Sequence, residues 1–497
     1  MQAEETGEGL AMNEKGKGTY NAVVIGAGTA GLVTAAGTAG LGGRVALIER
    51  HKMGGDCLNF GCVPSKALIS SARLIDQIRN AEKWGLDKQD PQFEFKNIFE
   101  RMRERRAVIE PHDSRERYKS LGVDVFNGDA KFISPHEVEV DGTRLKAKNF
   151  VIATGRRAGI PPVEGIEDVP YYTNETFFDT LNEKPNRLII IGGGPIGCEL
   201  GQTMHRFGID VTIVEFMPQI FGKEDGNVAE FMRNRLEKEG LNILTSTGAK
   251  KAAYINNEIH LTVGSASGEG EDQTLIADAL LIAAGRIPNV ETLNLDAAGV
   301  KHDRGGVTVN DYLQTSQKHI YACGDIAGPY QFTHTADAQA RVVIRNIMMP
   351  LQVLRQKVDQ TVVPWSTYTS PEVAHVGLSK ADAEKNGIEY DLYTQELSEV
   401  DRAIVESETE GFAEVLTEKG GDKILGVTIV APHAGDLLHE FVLAIKHNIG
   451  LAAISATIHA YPTFAEMARK VGDKYNRTRL TPRAISLFTW LYKRARK

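Results

Sequence analysis

The sequence predicts an α/β fold that contains two copies of one strand–turn–helix unit. Three observations carry this prediction. An apolar strand runs into a glycine-rich turn near the amino terminus, the same pattern recurs further along the chain, and a close pair of cysteines follows the first copy. The chain has 497 residues, which is too long for one hydrophobic core and fits about three or four domains.

The first copy begins with a predicted strand at residues 21–25 and continues through Gly26, Gly28 and Gly31 into a predicted helix. Glu49 follows a second apolar strand. Glycine is needed where the chain turns tightly, where backbone approaches a pyrophosphate and where helix packs on strand, while the acid accepts hydrogen bonds from a ribose. Together these features predict a dinucleotide site, with the pyrophosphate at the helix N-terminus.

The second copy has the same order of elements. A predicted strand at residues 187–191 leads into Gly192, Gly194 and Gly197, and Glu215 follows the next apolar strand. The repeated sequence motif therefore predicts two dinucleotide sites.

Cys57 and Cys62 are separated by four residues, which is close enough for a disulfide on one helical turn or tight loop. The spacing differs from the two-residue gap of thioredoxin-type sites, and no second cysteine pair or nearby histidine cluster completes a zinc site. We therefore predict a redox pair and no metal, with a purely structural pair as the alternative. The remaining cysteines, Cys198 and Cys323, lie in glycine-rich motifs and are interpreted as small buried residues.

With these motifs the chain resembles the flavin-dependent pyridine nucleotide disulfide oxidoreductases, which include dihydrolipoamide dehydrogenase, glutathione reductase and mercuric reductase. The resemblance covers nearly all of residues 20–480. Further family landmarks recur in order at residues 153–155, 284–289, 320–325, 369–374 and 459–466. The resemblance implies two Rossmann-like domains, the first for FAD and the second for NAD, and a C-terminal α+β domain that forms a homodimer.

The implied domain order has five parts. They are a disordered lead at 1–19, an FAD-binding domain at 20–158 and 286–356, an NAD-binding domain at 159–285, an interface domain at 357–480 and a basic amphipathic tail at 481–497.

The resemblance also assigns residues to the two cofactors. For FAD they are Gly26, Gly28, Gly31, Glu49, Gly55, Asp56, Lys66, Thr154, Gly155 and Asp325. For NAD they are Gly192, Gly194, Ile196, Gly197, Glu215 and Gly285.

Within the implied catalytic site, Cys62 is the flavin-facing thiol and Cys57 the interchange thiol that meets the substrate. Lys66 matches the family lysine beside the flavin, and Glu199 matches its ion-pair partner. An ordinary ion pair is the alternative for these two. Glu215 favours NADH over NADPH, because a carboxylate there binds the ribose 2′-hydroxyl and repels a 2′-phosphate.

The residues expected to face the substrate differ from those of the lipoamide enzymes. Those enzymes carry a histidine, held by a glutamate, where this chain has Tyr461, although Glu466 is retained and His459 lies two residues earlier. A tyrosine is a poor general base at neutral pH. Mercuric reductase carries tyrosine there but also a C-terminal cysteine pair, and this sequence has no cysteine after Cys323.

Composition limits the partners and the location. A net charge of −8 gives no reason to expect nucleic acid binding, and four cysteines in this length favour a reducing, cytoplasmic compartment. No apolar run is long enough to span a membrane. Residues 484–492 are apolar and aromatic, and 493–497 are basic. We expect a helix packed on the protein, with peripheral contact to an anionic membrane surface as the alternative.

The leading functional hypothesis is a homodimeric FAD enzyme that uses NADH and the Cys57–Cys62 disulfide to act on a small disulfide or thiol-reactive substrate. A mercuric-reductase-like activity on soft metal or thiol complexes is the first alternative. The second is a redox sensor or electron-transfer flavoprotein at the membrane surface.

Overall fold

The computed structural model describes residues 18–349 and 351–496, so most of the predicted lead at 1–19 lies outside the described residues. Over those two ranges the chain forms fifteen α-helices and twenty-three strands. The helices are α1 Thr29–Gly40, α2 Gly55–Asn59, α3 Cys62–Arg79, α4 Phe95–Ile109, α5 Arg115–Ser120, α6 Asn174–Thr180, α7 Pro195–Arg206, α8 Gly226–Glu239, α9 Thr333–Met348, α10 Lys380–Lys385, α11 Asp401–Val405, α12 Ala434–Lys446, α13 Leu451–Ala456, α14 Glu466–Thr478 and α15 Pro482–Ala495. The strands are β1 Tyr20–Ile25, β2 Val45–Glu49, β3 Val123–Asn127, β4 Ala130–Ser134, β5 Glu137–Val140, β6 Thr143–Ile152, β7 Arg156–Ala158, β8 Arg187–Ile191, β9 Asp210–Val214, β10 Asn242–Leu244, β11 Thr247–Ile255, β12 Glu258–Ser265, β13 Gln273–Ala277, β14 Ala279–Ile282, β15 Arg286–Pro288, β16 His302–Asp303, β17 Gly306–Val307, β18 Ile320–Ala322, β19 Trp365–Thr367, β20 Glu372–Gly377, β21 Tyr390–Glu396, β22 Phe412–Glu418 and β23 Ile424–Ala431.

The described chain divides into two compact units. The first contains residues up to 55, 110–156 and 287–358, and the second contains 56–109, 157–286 and 359 onward. Three of these boundaries, at 156, 286 and 358, lie close to the predicted ones at 158, 286 and 356. The grouping of residues 56–109 differs from the prediction, which gives them to the first nucleotide domain. The finer, five-part division stays a prediction.

The first unit is built on a parallel sheet. Its strands run in the order β3-β2-β1-β6 with β18 on the far side of β6, and β5 and β4 extend β6 as an antiparallel ribbon. The central strands are rich in Val, Ile and Ala and are buried along nearly their whole length, as a sheet covered on both faces requires. Helix α1 packs against α9. The strand order reverses between β1 and β6, which is where such sheets bind nucleotides at the carboxyl ends of their strands.

The second unit contains three sheets. A parallel sheet has the order β10-β9-β8-β14, an antiparallel sheet has the order β11-β12-β13, and a five-stranded antiparallel sheet has the order β19-β20-β23-β22-β21. Helix α12 covers β20 and β23, and α13 packs on α14. Helices α3 and α4 pack on each other, and α3 also contacts α7. The predicted α/β class, with two dinucleotide units and a C-terminal α+β part, is therefore confirmed.

The C-terminal helix corrects one expectation. Helix α15 forms where the sequence predicts a helix, with the Thr481 side chain capping its first turn, but none of its residues is buried. The interpretation that this helix packs on the rest of the chain is therefore wrong for the described residues. Among those residues, no helix is both long and apolar enough to cross a bilayer.

Candidate functional site

The first glycine turn has the geometry that a bound pyrophosphate requires. Gly26 has a φ of +101°, and a Cβ there would lie 2.4 Å from the Ala153 carbonyl oxygen. A Cβ at Gly31 would lie 1.8 Å from the Gly26 carbonyl oxygen, so only glycine lets α1 approach β1 this closely. Gly28 caps the N-terminus of α1 without a side-chain hydrogen bond. A helix N-terminus of this kind fits an anionic group such as the FAD pyrophosphate.

Glu49 closes the same turn from β2. Its Oε2 accepts a hydrogen bond from the Ala27 N–H at 2.7 Å, and its Oε1 accepts one from the His51 N–H at 2.7 Å. The carboxylate is buried. Each carboxylate oxygen has a second lone pair, so Glu49 still has capacity for a ribose hydroxyl.

Three further residues predicted for FAD lie in the first unit. Thr154 Oγ1 donates to the Asn289 carbonyl oxygen at 2.8 Å, and Asn289 Nδ2 donates back to the Thr154 carbonyl oxygen at 2.9 Å. Gly155 has a φ of +64°. The Asp325 carbonyl oxygen accepts a hydrogen bond from Arg156 Nε at 2.7 Å. Asn289 and Arg156 hold these loops in place.

Gly55 lies against the first turn. It has a φ of +59°, and a Cβ there would lie 2.5 Å from the Gly28 Cα, so the two backbones touch. The neighbouring Asp56 belongs to the second unit and has protein partners there, with Oδ2 bound to Arg286 at 2.9 Å and Oδ1 bound to Asn174 at 2.9 Å. The sequence motif contains neither of these partners.

The second glycine turn repeats the first. Gly192 has a φ of +114°, and a Cβ at Gly197 would lie 1.9 Å from the Gly192 carbonyl oxygen. Gly194 caps α7, whose second residue, Ile196, is exposed. The last predicted nucleotide residue of this unit, Gly285, has a φ of +125°. This turn therefore also fits a pyrophosphate.

Glu215 occupies the position that Glu49 occupies in the first unit. Its Oε2 accepts from the Gly193 N–H at 2.5 Å, and its Oε1 accepts from the Met217 N–H at 2.7 Å. Glu49 accepts the same two hydrogen bonds, one from an N–H group of its glycine turn and one from the N–H group two residues after itself. The two acids therefore share one local architecture, which supports a shared role toward a ribose.

The two predicted redox cysteines lie at the junction of two helices. Cys57 lies within α2 and is half-buried, whereas Cys62 is the first residue of α3 and is exposed. The unsatisfied N–H groups at a helix N-terminus stabilise a thiolate there.

Cys198 and Cys323 are fully buried, and burial raises both thiol pKa values, that of Cys323 to about 12. Their predicted burial is confirmed.

Lys66 lies four residues after Cys62, on the next turn of α3. Burial lowers its pKa, but the ion pair with Glu199 outweighs that effect and leaves the pKa above its usual value. The Nζ–Oε2 distance is 2.8 Å, and the buried Glu199 also accepts a hydrogen bond from the Tyr368 N–H at 2.8 Å. The lysine Nζ also lies 4.4 Å from the centre of the Tyr368 ring. The structure thus brings the predicted pair together beside an aromatic ring that the sequence did not single out.

The predicted substrate-side residues have separate partners. Tyr461 is exposed, and its hydroxyl donates to Asp401 Oδ2 at 2.9 Å. This hydrogen bond is the main reason why the pKa of Tyr461 lies above its usual value. Asp401 also lies 3.4 Å from Lys470 Nζ, and both interactions lower the pKa of its carboxyl group. The phenol is therefore neutral and the carboxylate charged at neutral pH.

Glu466 is buried and pairs through Oε1 with Arg469 at 2.6 Å. Its Oε2 is buried and has no hydrogen-bond partner within residues 18–349 and 351–496. His459 binds Glu440 Oε1 through Nε2 at 2.9 Å and the Thr457 carbonyl oxygen through Nδ1 at 3.0 Å. Among the residues that the structure describes, no hydrogen bond joins Tyr461, His459 and Glu466 to one another. No local sequence motif marks Asp401 or Glu440 as a partner of these residues.

Comparison with known proteins decides the family. Residues 20–340 match the family model described as pyridine nucleotide-disulphide oxidoreductase, and residues 363–471 match the dimerisation domain of the same group. The chain belongs to this family. It is accordingly an FAD-containing oxidoreductase of the disulfide class, with an NAD(P) site and a dimerisation domain that supports a homodimer.

Relatives span two named activities. The chain is similar to a mercuric reductase from Bacillus cereus, with 32% identity over 92% of this chain and 72% of the relative. It is also similar to a dihydrolipoyl dehydrogenase from Thermus scotoductus, with 35% identity over 90% of this chain and 95% of the relative. Among solved structures, the HOCl-induced flavoprotein disulfide reductase RclA from Escherichia coli matches with a TM-score of 0.81 and 26% identity, covering 91% of this chain and 99% of that one.

Proposed function

We propose that this protein is an NADH-dependent disulfide oxidoreductase that uses Cys57 and Cys62 as its redox pair and a small disulfide or thiol-reactive compound as its substrate. One observation carries the proposal. The pair spans the junction of α2 and α3, with Cys62 at a helix N-terminus and the Lys66–Glu199 ion pair one turn away. A helix N-terminus and a fixed cation are the two features that stabilise a reactive thiolate.

Each of the site residues is assigned its own role. In this proposal the turns at Gly26 and Gly192 hold the two pyrophosphates, while Glu49 and Glu215 hold the riboses. Bound FAD supplies the group that accepts hydride from NADH and reduces the disulfide. Cys62 carries the stabilised thiolate, and Cys57 exchanges with the substrate.

Lys66 has a supporting part in this proposal. Glu199 holds its side chain in a charged state, as the raised pKa indicates. A fixed positive charge one helical turn from Cys62 favours the thiolate over the thiol.

Tyr461 is proposed to orient substrate as a hydrogen-bond acceptor, because its one O–H proton is already donated to Asp401. Its hydroxyl is neutral and held by the charged Asp401, so it neither accepts a proton readily nor gives one up at neutral pH. This predicts a site better suited to binding a substrate than to deprotonating a dithiol.

Rapid-mixing kinetics test the proposed function. The enzyme is reduced with one equivalent of NADH and then mixed with a panel of acceptors containing lipoamide, glutathione disulfide, a quinone, Hg²⁺ and Cu²⁺. The proposal expects fastest reoxidation by a disulfide, and loss of that reaction in Cys57→Ser. Fastest reoxidation by a quinone, retained in Cys57→Ser, would contradict it.

A mercuric-reductase-like activity is the second candidate function. It is supported by the named mercuric reductase relatives and by Tyr461 in place of histidine. In the same panel, fastest reoxidation by Hg²⁺ that depends on Cys57 would favour this candidate.

NADH is expected to be preferred over NADPH by at least about tenfold in kcat/KM, because one charge–charge contact near a protein surface is worth up to ~4 kcal/mol. Glu215→Gln keeps a hydrogen-bond acceptor for the turn but removes the charge that repels a 2′-phosphate. It should raise kcat/KM for NADPH, mainly through KM. The measurement is steady-state kinetics with each nucleotide and one fixed acceptor.

Glu49→Gln is the matched control for Glu215→Gln, since Glu49 makes the same two backbone bonds in the first unit. It should alter FAD retention without changing the preference between the two nicotinamide nucleotides. Equal use of both nucleotides by the wild type would count against the assignment of Glu215.

We also propose peripheral contact between the C-terminal tail, residues 481–497, and a membrane. The support is the exposed helix α15, which has no buried residue.

A further inference from the structure

Helix α15 presents an apolar surface that the described chain leaves uncovered. The helix is 14 residues long, with Pro482 in its first turn and the Thr481 side chain accepting a hydrogen bond from the Ala484 N–H. Its large apolar side chains are 45–67% exposed. They are Ile485, Leu487, Phe488, Trp490, Leu491 and Tyr492. An apolar group of this size, clustered on one short element, marks a binding surface.

The apolar and polar residues lie on different faces of the helix. At 3.6 residues per turn, Leu487, Phe488 and Leu491 share one face, and Tyr492 and Ile485 border it. Ser486, Thr489 and Lys493 share the opposite face. Trp490 lies on the boundary between the faces, where the Arg494 guanidinium stands 5.5 Å from its ring centre.

The charge of the C-terminal segment indicates which kind of partner helix α15 binds. The segment from Lys474 to Lys497 contains eight Lys and Arg residues and no Asp or Glu, although the whole chain has a net charge of −8. Two copies of this helix would bring like charges together, which disfavours a second copy of the chain as the partner. A partner with an apolar interior and a negatively charged surface is complementary to the apolar face and to the basic residues of this helix.

We propose that helix α15 binds in the plane of a bilayer that carries anionic headgroups. The face with Leu487, Phe488 and Leu491 enters the boundary between headgroups and acyl chains. Trp490 lies at headgroup level, and Arg483 and Arg494, which lie on the same flank of the helix as Trp490, contact lipid phosphates. This inference deepens the proposed membrane contact by naming the lipid chemistry and the inserting face. It is independent of the redox chemistry.

Vesicle sedimentation of the purified holoenzyme tests the inference. Full-length protein and a truncation after Leu480 are mixed with neutral phosphatidylcholine vesicles and with vesicles containing 30% phosphatidylglycerol. We expect full-length protein to bind the anionic vesicles at least about tenfold better than the neutral ones, with binding weakened by salt. The truncated protein should bind neither, and its NADH oxidation should be unchanged.

Two double variants separate the contributions of the faces. Leu487→Gln with Leu491→Gln should abolish binding to both kinds of vesicle, whereas Arg483→Gln with Arg494→Gln should lower binding to anionic vesicles by about tenfold. Thr489→Ser is a matched control on the polar face and should leave binding unchanged.

Other outcomes overturn the inference in distinguishable ways. Equal binding to neutral and anionic vesicles would leave the membrane contact standing and refute the role of charge. Absence of binding to either kind of vesicle would refute both the membrane contact and the role of charge. If light scattering without lipid shows that the truncation dissociates the dimer, the helix covers a second copy of the chain and the inference is wrong.

Discussion

Cys57→Ser is expected to lower turnover with a disulfide substrate by at least about 10³-fold, because the substrate then has no thiolate with which to exchange. Reduction of the bound flavin by NADH should remain within about twofold of wild type, since that step uses neither sulfur. The measurement is steady-state disulfide reduction beside single-turnover flavin reduction. Cys198→Ser is the matched control, because Cys198 is fully buried and should affect neither reaction.

The same variants assign the two sulfurs. Cys57→Ser leaves Cys62 unable to form a disulfide, so its thiolate should give a long-wavelength charge-transfer band with oxidised flavin before any reductant is added. Cys62→Ser should show no such band. A band in the Cys62 variant and none in the Cys57 variant would reverse the assignment.

Tyr461→His is expected to raise dihydrolipoamide oxidation by about 10² to 10⁴, the usual worth of a well-placed general base. The wild-type phenol is a poor general base because it is protonated at neutral pH, and the hydrogen bond to Asp401 raises its pKa further, whereas an imidazole titrates near neutral pH. The buried Oε2 of Glu466 has no hydrogen-bond partner in the described ranges, so we expect it to accept a hydrogen bond from the introduced ring. Flavin reduction by NADH should not change.

Tyr461→Phe and Asp401→Asn are the controls for this prediction. The first removes the hydroxyl and the second removes the charge that holds it, and neither introduces a base. Neither variant should raise dihydrolipoamide oxidation. High wild-type activity that Tyr461→His lowers would show that Tyr461 or His459 already moves the proton.

The nucleotide turns could be predicted from sequence because their requirements are local. Gly31 and Gly197 are dictated by contacts within one strand–turn–helix unit, where a Cβ would collide with backbone, and Gly26 and Gly192 by a positive φ in the turn itself. The Lys66–Glu199 pair is distant in sequence, and it could be predicted only because a family pattern places both residues.

The substrate side could not be predicted in the same way. Tyr461 binds Asp401, and His459 binds Glu440, through contacts that depend on how α11, α12 and the loop before α14 pack. No spacing rule connects these positions. The C-terminal helix shows a related limit, because its amphipathic pattern predicts a helix but cannot say what covers the apolar face.

Cysteine alkylation tests the central claim most directly. The holoenzyme is treated with iodoacetamide before and after anaerobic addition of NADH, and the modified residues are mapped by mass spectrometry. Cys198 and Cys323 serve as internal controls because they are fully buried. We expect Cys57 and Cys62 to be protected in the oxidised enzyme and alkylated after NADH. In a separate sample, to which a disulfide substrate is added after NADH and before iodoacetamide, both should be protected again. Equal alkylation of both residues with and without NADH would contradict the claim that electrons from NADH reach this pair.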